Sequence, residues 1–76
     1  MLSYNIAKNA DNKAFGTACI LIETKFKDAK KEPLLVDVDG TQIQIYNAPG
    51  GKIKVFNDYE VDAVYIDSEV DLSNIL

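Results

Sequence analysis

The chain has no histidine, no arginine and no tryptophan, and one cysteine in 76 residues. Each absence excludes a class of chemistry. Without histidine there is no ordinary base for a nucleophilic triad and no imidazole for a zinc site, and a lone thiol closes no intrachain disulfide. Without arginine the chain lacks the planar, bidentate donor that phosphate and base recognition favour. Its formal charge of −4 also leaves no basic footprint, so we expect no direct nucleic-acid binding. The longest unbroken apolar run, Ala18 to Ile22, is far too short to cross a bilayer, and no membrane partner is expected. Met1 to Lys8 lacks a basic start followed by a long apolar core, so we expect no signal peptide and a cytoplasmic protein with Cys19 reduced.

What is present is alternation. Leu34 to Tyr46 reads as two runs of period 2 on either side of Asp39-Gly40, the residue pair that a tight hairpin turn favours. With that pair as a two-residue loop, Val36 faces Ile43 and Leu34 faces Ile45. Pro49-Gly50-Gly51 then makes a three-residue loop that pairs Ile45 with Val55 and Tyr46 with Lys54. A third loop at Asn57-Asp58-Tyr59 pairs Val55 with Val61 and Lys54 with Asp62. The expected fold is therefore mainly β, a β-rich α+β domain over 1–76. An antiparallel meander of four strands, about 34–67, is joined by an N-terminal strand and one short helix in a small curved sheet or barrel. In this register Ile43, Ile45, Ile53 and Val55 share the apolar face, while Leu35, Tyr46, Phe56, Val64 and Ile66 lie on the other and need a cover.

Leu2, Tyr4 and Ile6 alternate with polar residues and form the N-terminal strand. Residues 14–31 admit two readings. Weak helix formers (Thr17, Ile20, Ile22) and Gly16 favour a strand from Thr17 to Glu23, then a short helix from Thr24 to Lys31. A single helix would instead place Phe15, Ala18, Ile22, Phe26 and Ala29 on one stripe. Pro33 ends either version. Val70, Leu72, Ile75 and Leu76 are expected to tuck the acidic tail against the body, with a partner-binding tail as the alternative.

Three motifs touch known chemistry. Val36-Asp37-Val38-Asp39-Gly40-Thr41 resembles the first motif of the haloacid-dehalogenase-like phosphatases, which would make Asp37 a nucleophile and Asp39 an acid–base. The likeness spans six residues. The family's large α/β domain and later lysine are missing, and a hairpin turn accounts for the same residues. As an EF-hand loop the stretch places Ala48 where a bidentate glutamate is required. Gly50-Gly51-Lys52 lacks the first glycine of a phosphate loop and has Ile53 where Ser or Thr belongs. We therefore expect no enzyme, no catalytic residue, no cofactor and no metal.

A core this small supplies only about 3–5 kcal/mol unaided, so a protein partner or a homo-oligomer is expected. The expected partner surface is acidic and aromatic: Tyr46, Phe56, Tyr59, Glu60 and Asp62, aimed at a basic site on another protein. The function expected is a non-catalytic protein-binding module, for example an inhibitor or accessory factor. The alternative is a homo-oligomer that binds a small ligand in a pocket between subunits.

Overall fold

Asp11 starts the helix around which the core is built. Its backbone is extended (φ −157°, ψ 117°), and its carboxylate accepts from the Lys13 N–H at 2.9 Å, satisfying one of the orphan donors of the first turn. Helix α1 runs from Asn12 to Lys25 and buries Phe15, Ala18, Cys19 and Ile22, residues spaced to share one face. The computed structural model, which describes residues 1–76, thus corrects the expected strand over Thr17–Glu23 and short helix from Thr24. Propensity lost to packing: one buried stripe outweighs several β-branched residues, each worth only tenths of a kcal/mol. Thr24 lies within this helix, and its hydroxyl donates to the Ile20 carbonyl at 2.8 Å, one turn back.

Six strands form one open antiparallel sheet: β1 (Leu2–Ala7), β2 (Lys30–Lys31), β3 (Leu35–Val36), β4 (Gln42–Ala48), β5 (Gly51–Asp58) and β6 (Ala63–Ser68). The order is β1-β6-β5-β4, and the two short strands β2 and β3 share the far edge of β4. The mainly β architecture, the meander and the N-terminal strand are as expected. The sheet stays open because its edges, β1 and β2/β3, do not meet.

All three hairpins differ in register from the expectation. Val38-Asp39-Gly40 is a three-residue loop, with Gly40 N–H donating to the Asp37 carbonyl at 3.0 Å and Gly40 at φ +89°. Leu35 consequently faces Ile43. Pro49-Gly50 is a two-residue loop between Ala48 and Gly51, so Tyr46 faces Ile53 and Ile45 faces Lys54. A side chain on Gly51 would meet the Glu69 Cβ at 2.6 Å, which keeps this turn glycine-rich. The last loop is longer than expected: Asp58 faces Ala63, and Val55 faces Ile66 rather than Val61. Each odd slip exchanges the faces of everything beyond it.

The helix-side face therefore carries Tyr46 from β4, Ile53 and Val55 from β5, and Val64 and Ile66 from β6, all essentially inaccessible to solvent. Leu72 of the tail closes this core, with Val70 and Ile75 packed against it. The Tyr4 hydroxyl fixes the tail by accepting from Leu72 N–H (2.9 Å) and donating to Asp71 (3.2 Å). The opposite face has no cover. Across it Leu35, Ile43, Phe56 and Tyr65 form one cross-strand row, with Ile45 on the neighbouring row.

Candidate binding surface at the acidic end of the sheet

β4 starts, and β5 and β1 finish, at the end of the sheet where α1 begins. Three loops meet there: 8–11, 37–41 and 59–62. Tyr59 N–H donates to the Thr41 hydroxyl (3.0 Å), the Tyr59 hydroxyl donates to Asn12 Oδ1 (3.0 Å), and Ala10 N–H donates to Asp62 (2.9 Å). Asn57, fully buried at the end of β5, ties the group together. Its Oδ1 accepts from Asp11 N–H at 2.9 Å, and its Nδ2 donates to Asn12 and Gln42, both at 3.0 Å. A polar residue on the core face of an alternating strand, Ile53-Val55-Asn57, is the sequence signal for this network, and sequence reasoning missed it.

These loops, with Asp58 at the end of β5 and Lys13 at the start of α1, hold six carboxylates, Asp11, Asp37, Asp39, Asp58, Glu60 and Asp62, and two lysines, Lys8 and Lys13. That excess of four equals the net charge of the chain; elsewhere six lysines balance six carboxylates. The two salt bridges, Lys31–Glu23 (3.2 Å) and Lys52–Glu32 (3.9 Å), both lie toward the other end. Most of the acids at the acidic end have local work to do. Asp37 accepts from Val38 N–H, Asp39 from Thr41 N–H, and Asp58 from the N–H groups of Glu60 and Val61. Slight desolvation pushes the Asp58 carboxyl up, but the Val61 N–H, the Tyr65 hydroxyl and the Glu60 N–H outweigh it, and its pKa lies below the ordinary value. Asp62, the one non-glycine residue with positive φ (60°), is held low by the Ala10 N–H and the Asn9 side chain. Glu60 makes no such bond. Around these charges Val38 is fully exposed, Val61 is 64 % exposed and Tyr59 is 43 % exposed.

The expected site residues divide accordingly. Tyr59, Glu60 and Asp62 stand together in one loop at the acidic end. Phe56 lies on the uncovered face beside it, its ring stacked on Tyr65 (centroids 4.7 Å apart, 13° between planes). The Tyr65 hydroxyl donates to Asp58 at 2.9 Å, and its pKa is pushed up to about 12, by burial first and by that carboxylate second. Tyr46 does not reach this surface. The one-residue change in the β4–β5 register turns it into the core at 1 % exposure, where its hydroxyl donates to Glu23 at 2.5 Å. Burial and that bond raise the Tyr46 pKa far above the ordinary value.

Cys19 is buried, and desolvation raises its thiol pKa. No three His, Cys, Asp or Glu side chains converge where they could hold a metal ion. No helix is long and apolar enough to cross a membrane. Two clefts are present. One, of about 370 Å³, lies between α1, β1 and Leu76 and is mainly apolar. The other, of about 380 Å³, is lined by Asn5, Ile6, Ala7, Lys8 and Ala63. Comparison with family models, curated proteins and solved structures gave no match to this chain.

Proposed function

We propose that this protein is a non-catalytic binding module whose acidic end docks on a basic site of a partner protein. One observation carries the reading: the whole net charge of the chain sits at one end of the sheet, outside any salt bridge, around exposed Val38, Tyr59 and Val61. Like charges gathered without counter-charges raise the local potential and steer a basic surface inward, while the apolar side chains among them supply contact area. Tyr59, Glu60, Val61 and Val38 form the contact; Asp62 and Asp58 shape the loop that presents it; Phe56 and Tyr65 border it. A role as inhibitor or accessory factor in the cytoplasm, where Cys19 stays reduced, belongs to the same proposal.

The test is capture on the immobilised protein from cell extract, with the folded double variant Val38→Lys, Glu60→Lys as control. Neither residue bonds to another part of the chain through its side chain, so the fold is retained. A basic protein held by the wild type, released by salt and not held by the variant is the expected result. Equal retention on both proteins overturns the proposal.

A second reading, binding of a small apolar ligand, has the cleft between α1 and β1 in its favour, since about 300–1,000 Å³ is the usual size of such sites. That cleft lies within one chain, not between two.

A further inference from the structure

The two edges of the sheet are built differently. On the β4 side the edge is broken into two strands of two residues each; the first is Lys30-Lys31, and Glu32 and Pro33 follow before the second. Short strands, charge and proline are the features that stop an edge from pairing with another chain. The other edge, β1, is six residues long: Leu2-Ser3-Tyr4-Asn5-Ile6-Ala7, with no charge and no proline. Its one irregularity is a bulge between Asn5 and Ala7, which leaves Leu2 to Asn5 as a straight run. As the outermost strand it pairs with β6 alone, and the backbone groups directed away from β6 have no strand partner.

Both clefts of the molecule border this edge, and Ile6 lines both. One lies on the helix side and is mainly apolar; the other, with Asn5, Lys8 and Ala63, is more polar. A strand laid beside β1 sends alternate side chains to the two sides of the sheet. β1 itself has the matching pattern. Leu2 and Tyr4 stand opposite Ser68 and Ile66, on the helix side, whereas Ser3 and Asn5 stand opposite Asp67 and Tyr65, on the uncovered side.

We propose that β1 pairs antiparallel with β1 of a second copy, making one continuous sheet about a two-fold axis. This interface goes beyond the partner surface proposed above and leaves both acidic ends free. Charge favours the same arrangement. Lys8, which has no salt bridge, follows β1 at the acidic end, and the antiparallel sense carries it toward Asp67 and Asp71 of the second copy. The same sense places each acidic end beside the charge-balanced end of the other molecule. With identical strands about the axis, only the residue on it lies across from its own copy, and residues on either side meet each other's copies close to the axis.

The experiment is sedimentation equilibrium of the wild type into the millimolar range, with amide chemical shifts followed over the same concentrations. A species of twice the 8.4 kDa chain mass, with shifts centred on β1, is expected. Asn5→Lys, at an exposed position whose side chain makes no hydrogen bond, sets two lysines across the axis and weakens the dimer about fivefold or more with the monomer fold unchanged. Lys8→Glu weakens it as well, and added salt reduces that difference. A monomer throughout the range overturns the proposal. So does a dimer whose shifts centre on Ile43, Ile45, Phe56 and Tyr65, or one that Asn5→Lys leaves intact.

Discussion

The two ends of the sheet solve the same structural problem, joining α1 to the strands beneath it, with different chemistry. At the acidic end the start of the helix is held by buried Asn57, whose amide reaches Asp11, Asn12 and Gln42. Carboxylates there bond to backbone N–H groups of the loops and leave their charge uncompensated. At the other end the helix is held through one line of contacts, Tyr46 hydroxyl to Glu23 to Lys31, in which charge is matched by charge. One end spends its carboxylates on loop geometry and shows its charge to solvent; the other neutralises it. A surface that recognises a charged partner requires the first arrangement, because a paired carboxylate has little field left to offer.

The largest difference should come from the buried amides. Asn57→Ala removes the acceptor for the Asp11 N–H and the Nδ2 bonds to Asn12, Gln42 and Tyr59, for an expected loss of about 2–3 kcal/mol, read as a fall in thermal midpoint. Its counterpart, Tyr46→Phe, removes one hydroxyl and should cost about 0.5–1.5 kcal/mol. The Tyr46 bond is the main reason the Glu23 pKa is low, so this variant should also raise that pKa, followed by carbon-detected NMR. Equal losses in the two variants would erase the contrast between the ends.

Acid sharpens the comparison further. Asp58 and Asp62 have folded pKa values below their unfolded ones, so the stability they contribute is present above about pH 4 and is lost as pH falls through the folded values. Amides of residues 8–11 and 59–62 should lose hydrogen-exchange protection on acidification, and Asp62→Asn should remove much of that dependence. In base the sign reverses for Tyr65. Its raised pKa of about 12 means that its contribution holds below about pH 10 and falls as pH rises toward the folded value. Asp58→Asn should bring the Tyr65 transition down in a spectrophotometric titration. The smallest effect is expected for Glu60→Gln, within about 0.5 kcal/mol, since that side chain bonds to nothing in its own chain. A large loss there would mean that Glu60 serves the fold rather than a partner.

The candidate surface was legible in part. Tyr59, Glu60 and Asp62 are close in sequence, so any loop between β5 and β6 keeps them together. Phe56 was placed correctly on the second face of the sheet, away from Ile53 and Val55. A three-residue loop at Pro49-Gly50-Gly51 puts Tyr46 and Phe56 on one face. The two-residue loop reverses that, and Tyr46 becomes core. A two-residue loop at Asp39-Gly40 would leave Val38 as a strand residue, whereas the longer turn takes it into the loop. These strands have apolar residues at both parities, Ile43 and Ile45 against Tyr46, or Tyr65 against Val64 and Ile66. Alternation alone therefore could not say which set faces the helix.

Local chemistry in the sequence was enough to determine that the protein is mainly β, that its first strand begins near Leu2, that hairpins turn near Asp39-Gly40 and Pro49-Gly50, and that nucleophilic and zinc chemistry lack their usual residues. Those conclusions rest on backbone preferences and on side chains that are simply missing. The tertiary structure decided the rest: that residues 12–25 are helical, which face of the sheet they cover, and that carboxylates from Asp11, Asp37–Asp39 and Asp58–Asp62 meet at one end. Each depends on burial between segments far apart in the chain. A few kcal/mol gained by packing Ile22 and Phe15 against Ile53 and Val55 exceeds any preference those segments have alone.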